Sequence, residues 1–149
     1  MRLMEIAPEQ LSSLARAVEI MTAATKVAGQ EGAATPSRRM PPSEIAAVLF
    51  IGRNDGARLN NLAEHLRVGP TTASSIVDRL VKAALVVRQR PEVDRRSLSL
   101  SLTEAGQALR RQSEEEQEAW CRLMLQALEP SERPGFVAAM SKIASRLLV

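Results

Sequence analysis

The chain has 149 residues and a mass of 16.2 kDa, which fits one domain of ordinary size and is too short for two full ones. Apolar residues make up 45% and charged residues 25%, a balance that excludes an intrinsically disordered chain. No run of about 18 apolar residues occurs, which excludes a membrane-spanning helix, and the single cysteine excludes an internal disulfide. The charged N-terminus does not resemble a signal peptide, so we expect a soluble cytoplasmic protein.

The composition favours packed helices, and the charge is uneven along the chain. Aromatic residues make up only 2%, so aliphatic side chains must fill the core. The middle third, residues 52–103, has nine basic and five acidic side chains, a net charge of +4, whereas the flanking thirds have net charges of 0 and −1. This distribution is expected of a surface that meets a polyanion such as DNA, although a solvated charged face would explain it too.

The two ends of the chain are predicted to be helical. Leu11–Thr25 has an apolar stripe with three- and four-residue spacing, and Pro8 is suited to a first helical turn. Near the C-terminus, Thr103 is expected to open a long helix whose middle, residues 112–118, is too polar to pack against a core. Glu129 is predicted to start a last helix. A helix with apolar ends and a polar middle suits a spacer between two separately packed bodies.

The centre of the chain is predicted to contain three shorter helices. After a breaker-rich connection, Ser43 is expected to cap one helix that ends at residues 54–56. Two more follow over residues 59–66 and about 70–84. In this pair, Ala63 is small enough to let the two helices cross closely, and Gly69 is expected to take the turn conformation between them.

A change of period then predicts a β-hairpin. Ser97–Leu102 alternates strictly between serine and leucine, which is typical of a half-buried strand, and residues 85–88 are its expected partner. Residues 89–96 form the connecting loop. Two short helices joined by a tight turn and followed by a hairpin describe a winged helix-turn-helix. We therefore expect a mainly α fold with a two-stranded wing.

The predicted recognition helix and wing contain side chains suited to DNA. Hydroxyls near the helix N-terminus are placed to meet base edges and phosphates, while arginines on a projecting loop are suited to the minor groove. Capping by Thr71 and a merely solvated charged turn remain alternatives. Asp94 is placed to hold Arg96 in one geometry. The candidates are Thr71, Thr72, Ser74, Ser75, Arg88, Arg90, Arg95 and Arg96.

In one continuous order over about residues 59–110, the chain resembles the MarR family of bacterial transcriptional regulators. The matching segments are Leu62-Ala-Glu-His-Leu66, Thr71-Thr-Ala-Ser-Ser-Ile-Val-Asp-Arg-Leu80, Leu85-Val-Val-Arg88, Asp94-Arg-Arg96 and Leu102-Thr-Glu-Ala-Gly106. The Asp-Arg-Arg triplet, followed by an alternating strand and Leu-Thr-x-x-Gly, is the most specific part of this resemblance.

The resemblance implies a homodimeric, ligand-responsive repressor whose two winged lobes grip a pseudo-palindromic operator. Residues 1–42 and 110–149 would supply the dimerisation helices, and residues 43–109 the DNA-binding lobe. Arg96 would enter the minor groove, oriented by Asp94, with Arg95 closer to phosphate. Asp78 and Arg79 match the family's Asp-Arg pair, which braces the recognition helix against the wing and the backbone, and Arg79 joins the DNA-binding candidates. A small apolar or aromatic-anionic effector is a further expected partner.

The chain departs from the family pattern at three positions. Pro70 and Ser75 stand where members often have basic residues, which weakens the phosphate grip or changes the base preference. Ala84 stands where members usually have glycine. If the backbone there keeps a positive φ, the alanine destabilises the fold by about 1 kcal/mol, and a shifted helix end is the alternative.

No enzyme, metal or cofactor is expected. The single His65 and Cys121 are far apart in sequence and make no zinc site, and no catalytic set or phosphate loop occurs. We expect His65 to be a neutral surface side chain and Cys121 to be structural. Two other classes remain open: a winged helix that binds protein instead of DNA, and a small-molecule sensor that acts on a partner.

Overall fold

The computed structural model describes residues 6–28, 39–90 and 98–147. By its internal contacts the chain divides into two compact units, Met1–Pro41 and Pro42–Val149. The first contains α1 (Pro8–Ala28). The second contains α2 (Pro42–Arg53), β1 (Ala57–Arg58), α3 (Leu59–Leu66), α4 (Pro70–Lys82), β2 (Val86–Gln89), β3 (Ser99–Leu102), α5 (Glu104–Gln126) and α6 (Arg133–Leu147).

Helix α1 confirms the predicted amphipathic helix and starts at Pro8 as expected. It extends three residues beyond the predicted range at each end. Its large apolar side chains, Leu11, Leu14 and Val18 among them, are exposed in the single chain. None of the helices in the described residues is both long and apolar enough to cross a membrane.

The second unit has an aliphatic core built from α2, α3, α4 and the sheet, as the composition predicted. Ala63 is buried where α3 packs against α4, in agreement with its predicted role in a close crossing. The spacing of Ile45, Val48 and Leu49 predicts one apolar face for α2, but the observed face is shifted. Ala47 and Ile51 lie in the core with Val48, whereas Ile45 and Leu49 are only half-buried. The fully buried larger side chains are Leu62, Ile76, Leu80, Leu100, Val48, Val77 and Val86.

The sheet has three antiparallel strands rather than the two that were predicted. Its order is β1-β3-β2, with Ala57 opposite Leu100 and Val86 opposite Leu102. The two-residue β1 is too short to produce an alternating pattern, so sequence periodicity missed it. Because β3 is the central strand, Ser99 is buried next to Leu100, and its hydroxyl donates to the Gln89 carbonyl at 3.3 Å. The expected half-buried alternation of β3 was therefore wrong.

Of three predicted helix starts, one is confirmed and two are wrong. Thr103 caps α5 as expected: its Oγ1 accepts from the Gly106 N–H at 3.0 Å and donates to the Ala84 carbonyl at 2.6 Å. Ser43 does not cap α2, because that helix already begins at Pro42. Helix α6 begins four residues later than predicted, because the backbone and carboxylate of Glu132 form a turn with Glu129 instead.

The polar middle of α5 was expected to avoid any core, and this is wrong at one position. Ser113 is buried, and its hydroxyl is satisfied within the helix because it donates to the Leu109 carbonyl at 2.9 Å. Glu114 of the same stretch accepts from Arg53 of α2 at 3.2 Å, and Arg110, just before the stretch, donates to the Gly52 carbonyl of α2 at 2.6 Å. The first half of α5 thus packs against α2 within the second unit.

Among the described residues, two that are not glycine have left-handed backbone conformations, one after each helix of the α3–α4 pair. Arg67 has φ 54° and Ala84 has φ 57°. Each follows a helix closed by the same two bonds: Arg67 and Val68 donate to Glu64 and Ala63, and Ala84 and Leu85 donate to Val81 and Leu80. Such helix ends favour glycine at the left-handed residue. Gly69, by contrast, is extended with φ −67°, so the prediction that it takes the turn conformation was wrong.

Replacing Ala84 with glycine is predicted to stabilise the fold by about 1 kcal/mol, because the left-handed conformation is strained for any residue with a Cβ. The bonds that close the helix end use backbone atoms and survive the change. Urea unfolding would measure the gain. Ala83→Gly is the control, because Ala83 has φ −79° and glycine there lowers stability by roughly 0.5 kcal/mol. Equal effects of the two changes would contradict the strain argument.

Candidate nucleic-acid interface

Helices α3 and α4 form a helix-turn-helix whose second helix presents a polar face to solvent. The apolar residues Ala73, Ile76, Val77 and Leu80 of α4 are all buried to 1% exposure or less. On the opposite side, Thr71, Thr72, Ser75, Asp78 and Arg79 are exposed and Ser74 is half-buried. Four predicted candidates, the hydroxyls of the first turns, therefore lie on or at the edge of one accessible surface.

The structure at the start of α4 contradicts the alternative that Thr71 merely caps this helix. Gly69 is the N-cap residue, Pro70 follows at the first helical position, and no side chain caps the helix. Within the described parts of the chain, the hydroxyls of Thr71, Thr72 and Ser74 donate no hydrogen bond. The Ser75 hydroxyl donates to the Thr71 carbonyl at 3.0 Å, so only its lone pairs are free to receive a donor.

An ion pair joins α4 to strand β2. Arg88 donates through Nη2 to Oδ1 of Asp78 at 2.5 Å, with side-chain exposures of 35% and 59%. The pair links the recognition helix to the first strand of the wing. Asp78 is therefore placed as a brace for the wing, and Arg88 is held by a carboxylate on α4.

A second ion pair joins α4 to α2. Arg79 donates through Nε to Oε1 of Glu44 at 2.5 Å, and the Glu44 side chain is only 10% exposed. Sequence reasoning missed Glu44, because it lies 35 residues from Arg79 and nothing in its own helix indicates a partner. Arg79 thus braces the recognition helix against α2, with about half of its side chain still in contact with solvent.

The remaining candidates lie at or beyond the end of β2. Arg90 follows β2 and is exposed. Asp94, Arg95 and Arg96 fall outside the described residues, so their predicted roles stay predictions.

The two residues considered as metal ligands lie in different elements. His65 is exposed on α3 and its ring stacks on Phe50, with centroids 4.5 Å apart. Cys121 is exposed on α5 in the single chain, and its structural role stays a prediction. In residues 6–28, 39–90 and 98–147, no group of three or more histidine, cysteine or carboxylate side chains is arranged to hold a metal ion.

A helix-turn-helix followed by an antiparallel sheet defines a winged-helix protein, and comparisons with known proteins agree. The sequence model of the MarR family matches residues 40–97. The uncharacterized HTH-type transcriptional regulator YfiV of Bacillus subtilis (strain 168) is 30% identical over 109 residues, which cover 73% of this chain and 68% of YfiV. The chain therefore belongs to the MarR family of transcriptional regulators, which are not enzymes.

Solved structures share the fold at lower sequence identity. FabT of Streptococcus pneumoniae, solved in complex with DNA, has a TM-score of 0.73 and 19% identity, with 93% of each chain covered. YusO of Bacillus subtilis has a TM-score of 0.69 and 19% identity, with 95% of this chain and 99% of YusO covered. RV1404 of Mycobacterium tuberculosis has a TM-score of 0.68 and 24% identity, over 93% and 89% of the two chains. The predicted fold class is confirmed.

The Glu44–Arg79 pair is predicted to respond asymmetrically to substitution. Arg79→Ala leaves a buried carboxylate without its partner and destabilises the protein by roughly 1–3 kcal/mol. Glu44→Gln leaves the arginine half in water and still offers it an acceptor, so it changes stability by less than about 1 kcal/mol.

A double-mutant cycle measured by urea unfolding would test this prediction. In the Glu44→Gln background, Arg79→Ala should cost clearly less than in the parent, because no buried charge is then left alone. The same cost in both backgrounds would show that Arg79 acts only through the packing of its aliphatic stem.

Proposed function

We propose that the protein is a DNA-binding repressor that grips a pseudo-palindromic operator as a homodimer and is released by a small ligand. The observation that carries the DNA-binding part is the exposed face of α4. The hydroxyls of Thr71 and Thr72 are free to hydrogen-bond, and the helix is held from behind by a buried apolar stripe. The N-terminal residues of a recognition helix are those that meet base edges in the major groove.

The charge distribution supports duplex DNA as the partner. The net charge of +4 in residues 52–103 coincides with the helix-turn-helix and the sheet, and the flanking thirds lack such an excess. FabT, which has a similar fold, was solved in complex with DNA. On this proposal Thr72 and Ser74 read bases, and Ser75 accepts a hydrogen bond. Arg90 and Arg95 contact phosphate, whereas Arg96, oriented by Asp94, enters the minor groove.

A winged helix that binds protein instead of DNA is the alternative class. It predicts apolar side chains on the exposed face of α4, because protein interfaces are built around an apolar centre. Over residues 71–79 that face consists of threonine, serine, aspartate and arginine. A fluorescence anisotropy titration with random duplex at two salt concentrations separates the classes, since steep loss of affinity with salt is the signature of phosphate contacts.

Arg96→Ala is predicted to weaken operator binding by roughly 1–3 kcal/mol and to leave the free energy of unfolding unchanged. The operator would first be isolated by selecting bound duplexes from a random pool. Arg122→Ala is the charge-matched control, because Arg122 is exposed on α5 and pairs only with Glu118 four residues away among the described residues. Equal binding by parent and Arg96→Ala would show that the wing assignment is wrong.

The homodimer part of the proposal is supported by unburied apolar faces at both ends of the chain. On α6, Val137, Met140, Ile143 and Leu147 are 46–70% exposed, and within its described residues this helix has no buried side chain. The faces of α1 are similarly uncovered. Contiguous exposed apolar surface of this kind marks an interaction site. We assign residues 1–42 and 110–149 to dimerisation and residues 43–109 to the DNA-binding lobe.

Ile143→Glu is predicted to weaken dimerisation by about 3 kcal/mol or more, because each interface would then bury unpaired carboxylates. Ala138→Glu adds the same charge on the side of α6 opposite to the apolar stripe and is the matched control. Light scattering across a concentration series would give the dissociation constants. A parent protein that is a stable monomer at micromolar concentration would contradict the proposal directly.

Ligand responsiveness and repression are inferred from the family resemblance. The coupling requires a ligand that prefers one spacing of the two lobes by a few kcal/mol, since successive major grooves lie about 34 Å apart. Repeating the operator titration with phenolic acids and apolar drugs would identify such a ligand. A compound that binds the free dimer without changing operator affinity would count against this mechanism.

A further inference from the structure

Arg67 occupies the left-handed position between α3 and α4, where a long charged side chain has no structural use. Its backbone has φ 54° and ψ 44°, a conformation that glycine adopts without strain. The residue is exposed, and within the described part of the chain its hydrogen bonds come from its backbone N–H, which donates to the Ala63 and Glu64 carbonyls. Within residues 6–28, 39–90 and 98–147, the guanidinium has neither a hydrogen bond nor an ion pair.

The other arginines of the helix-turn-helix and of β2 are mostly held by carboxylates. Arg79 is paired with Glu44, and Arg88 is paired with Asp78. The first eight residues of α4, from Pro70 to Val77, include no cation at all. The end of the recognition helix that meets DNA would therefore lack a positive side chain of its own.

Arg67 is the cation nearest in sequence to that end of the helix. It lies three residues before Pro70, so the two Cα atoms are separated by at most about 11 Å. A guanidinium suits phosphate recognition, because it remains charged and presents a planar fork of donors. An exposed and unpaired arginine at a strained position is best explained by a ligand outside the chain.

We propose that Arg67 binds a backbone phosphate of duplex DNA beside the N-terminus of α4, where it supplies the cation that the helix lacks. This assignment rests on the proposed DNA-binding function and adds a residue that sequence reasoning did not select. Because a phosphate contact positions the protein without reading sequence, operator and random duplex lose the contact equally.

Three variants separate charge from backbone strain. Arg67→Gly removes both, Arg67→Lys removes neither, and Ala84→Gly removes the same kind of strain at the other left-handed residue without changing charge. Arg67→Gly should raise the urea midpoint of unfolding, as Ala84→Gly does, and should lower affinity for operator and random duplex by on the order of tenfold. The slope of log affinity against log salt should fall by about one for each Arg67 on the duplex.

The two control variants define what would overturn the assignment. Arg67→Lys should bind within a few-fold of the parent, and Ala84→Gly should bind as the parent does. If Arg67→Gly keeps the parent's affinity and salt slope, Arg67 is not a phosphate contact, although the protein still binds DNA. If the parent shows no salt-dependent binding to any duplex, the proposed function fails, and this assignment fails with it.

Discussion

The burial of one apolar stripe on α4 is the constraint on which the rest of the site depends. Ala73, Ile76, Val77 and Leu80 recur at three- and four-residue spacing and are all removed from solvent. Each larger side chain contributes roughly 1.5–3 kcal/mol when fully buried, so the helix cannot rotate about its axis without losing several such terms. The hydroxyl face must therefore point outward. The packing that stabilises the fold therefore also sets the direction in which the candidate DNA-binding side chains point.

Two ion pairs tie α4 to its neighbouring elements. They also determine which cations remain available to bind phosphate. Arg79 is tied to α2 through Glu44, and Arg88 is tied to α4 through Asp78. A charge that is satisfied within the protein is a weaker partner for phosphate, because binding must first break its existing contact. The arginines that look equivalent in the sequence therefore divide into braces and free cations. Arg67 and Arg90 belong to the second group among the described residues.

Both ends of α4 are bounded by left-handed residues, and neither residue is glycine. The strain at Arg67 and Ala84 amounts to about 1 kcal/mol each, a noticeable fraction of the 5–15 kcal/mol by which domains are stable. The Ala84 side chain is an exposed methyl group, and nothing in the described residues explains the strain there. At Arg67 the side chain is charged, unpaired and beside the recognition helix, which is why we assign it a function.

The sequence by itself determined the elements whose pattern is local. Helical spacing predicted α1 and the α3–α4 pair, the serine–leucine alternation located β3, and the cap by Thr103 followed from its own neighbours. These features depend on residues within one or two turns of each other, which a periodicity detects directly. Where local rules compete, as at Gly69 and at Glu129, the predicted position was wrong by a few residues.

Only the tertiary structure decided the features that join distant segments. The two-residue β1 forms because it pairs with β3, whose nearest partner residue Ser99 lies 41 residues after Arg58, so no local pattern can indicate it. Glu44 pairs with Arg79, which lies 35 residues later in the chain. Ser99 is buried on β3, the central strand, which has a neighbouring strand on each side. Which arginines remain free to meet DNA depends on such long-range pairs. Sequence therefore located the recognition helix, and folding assigned the roles of its charges.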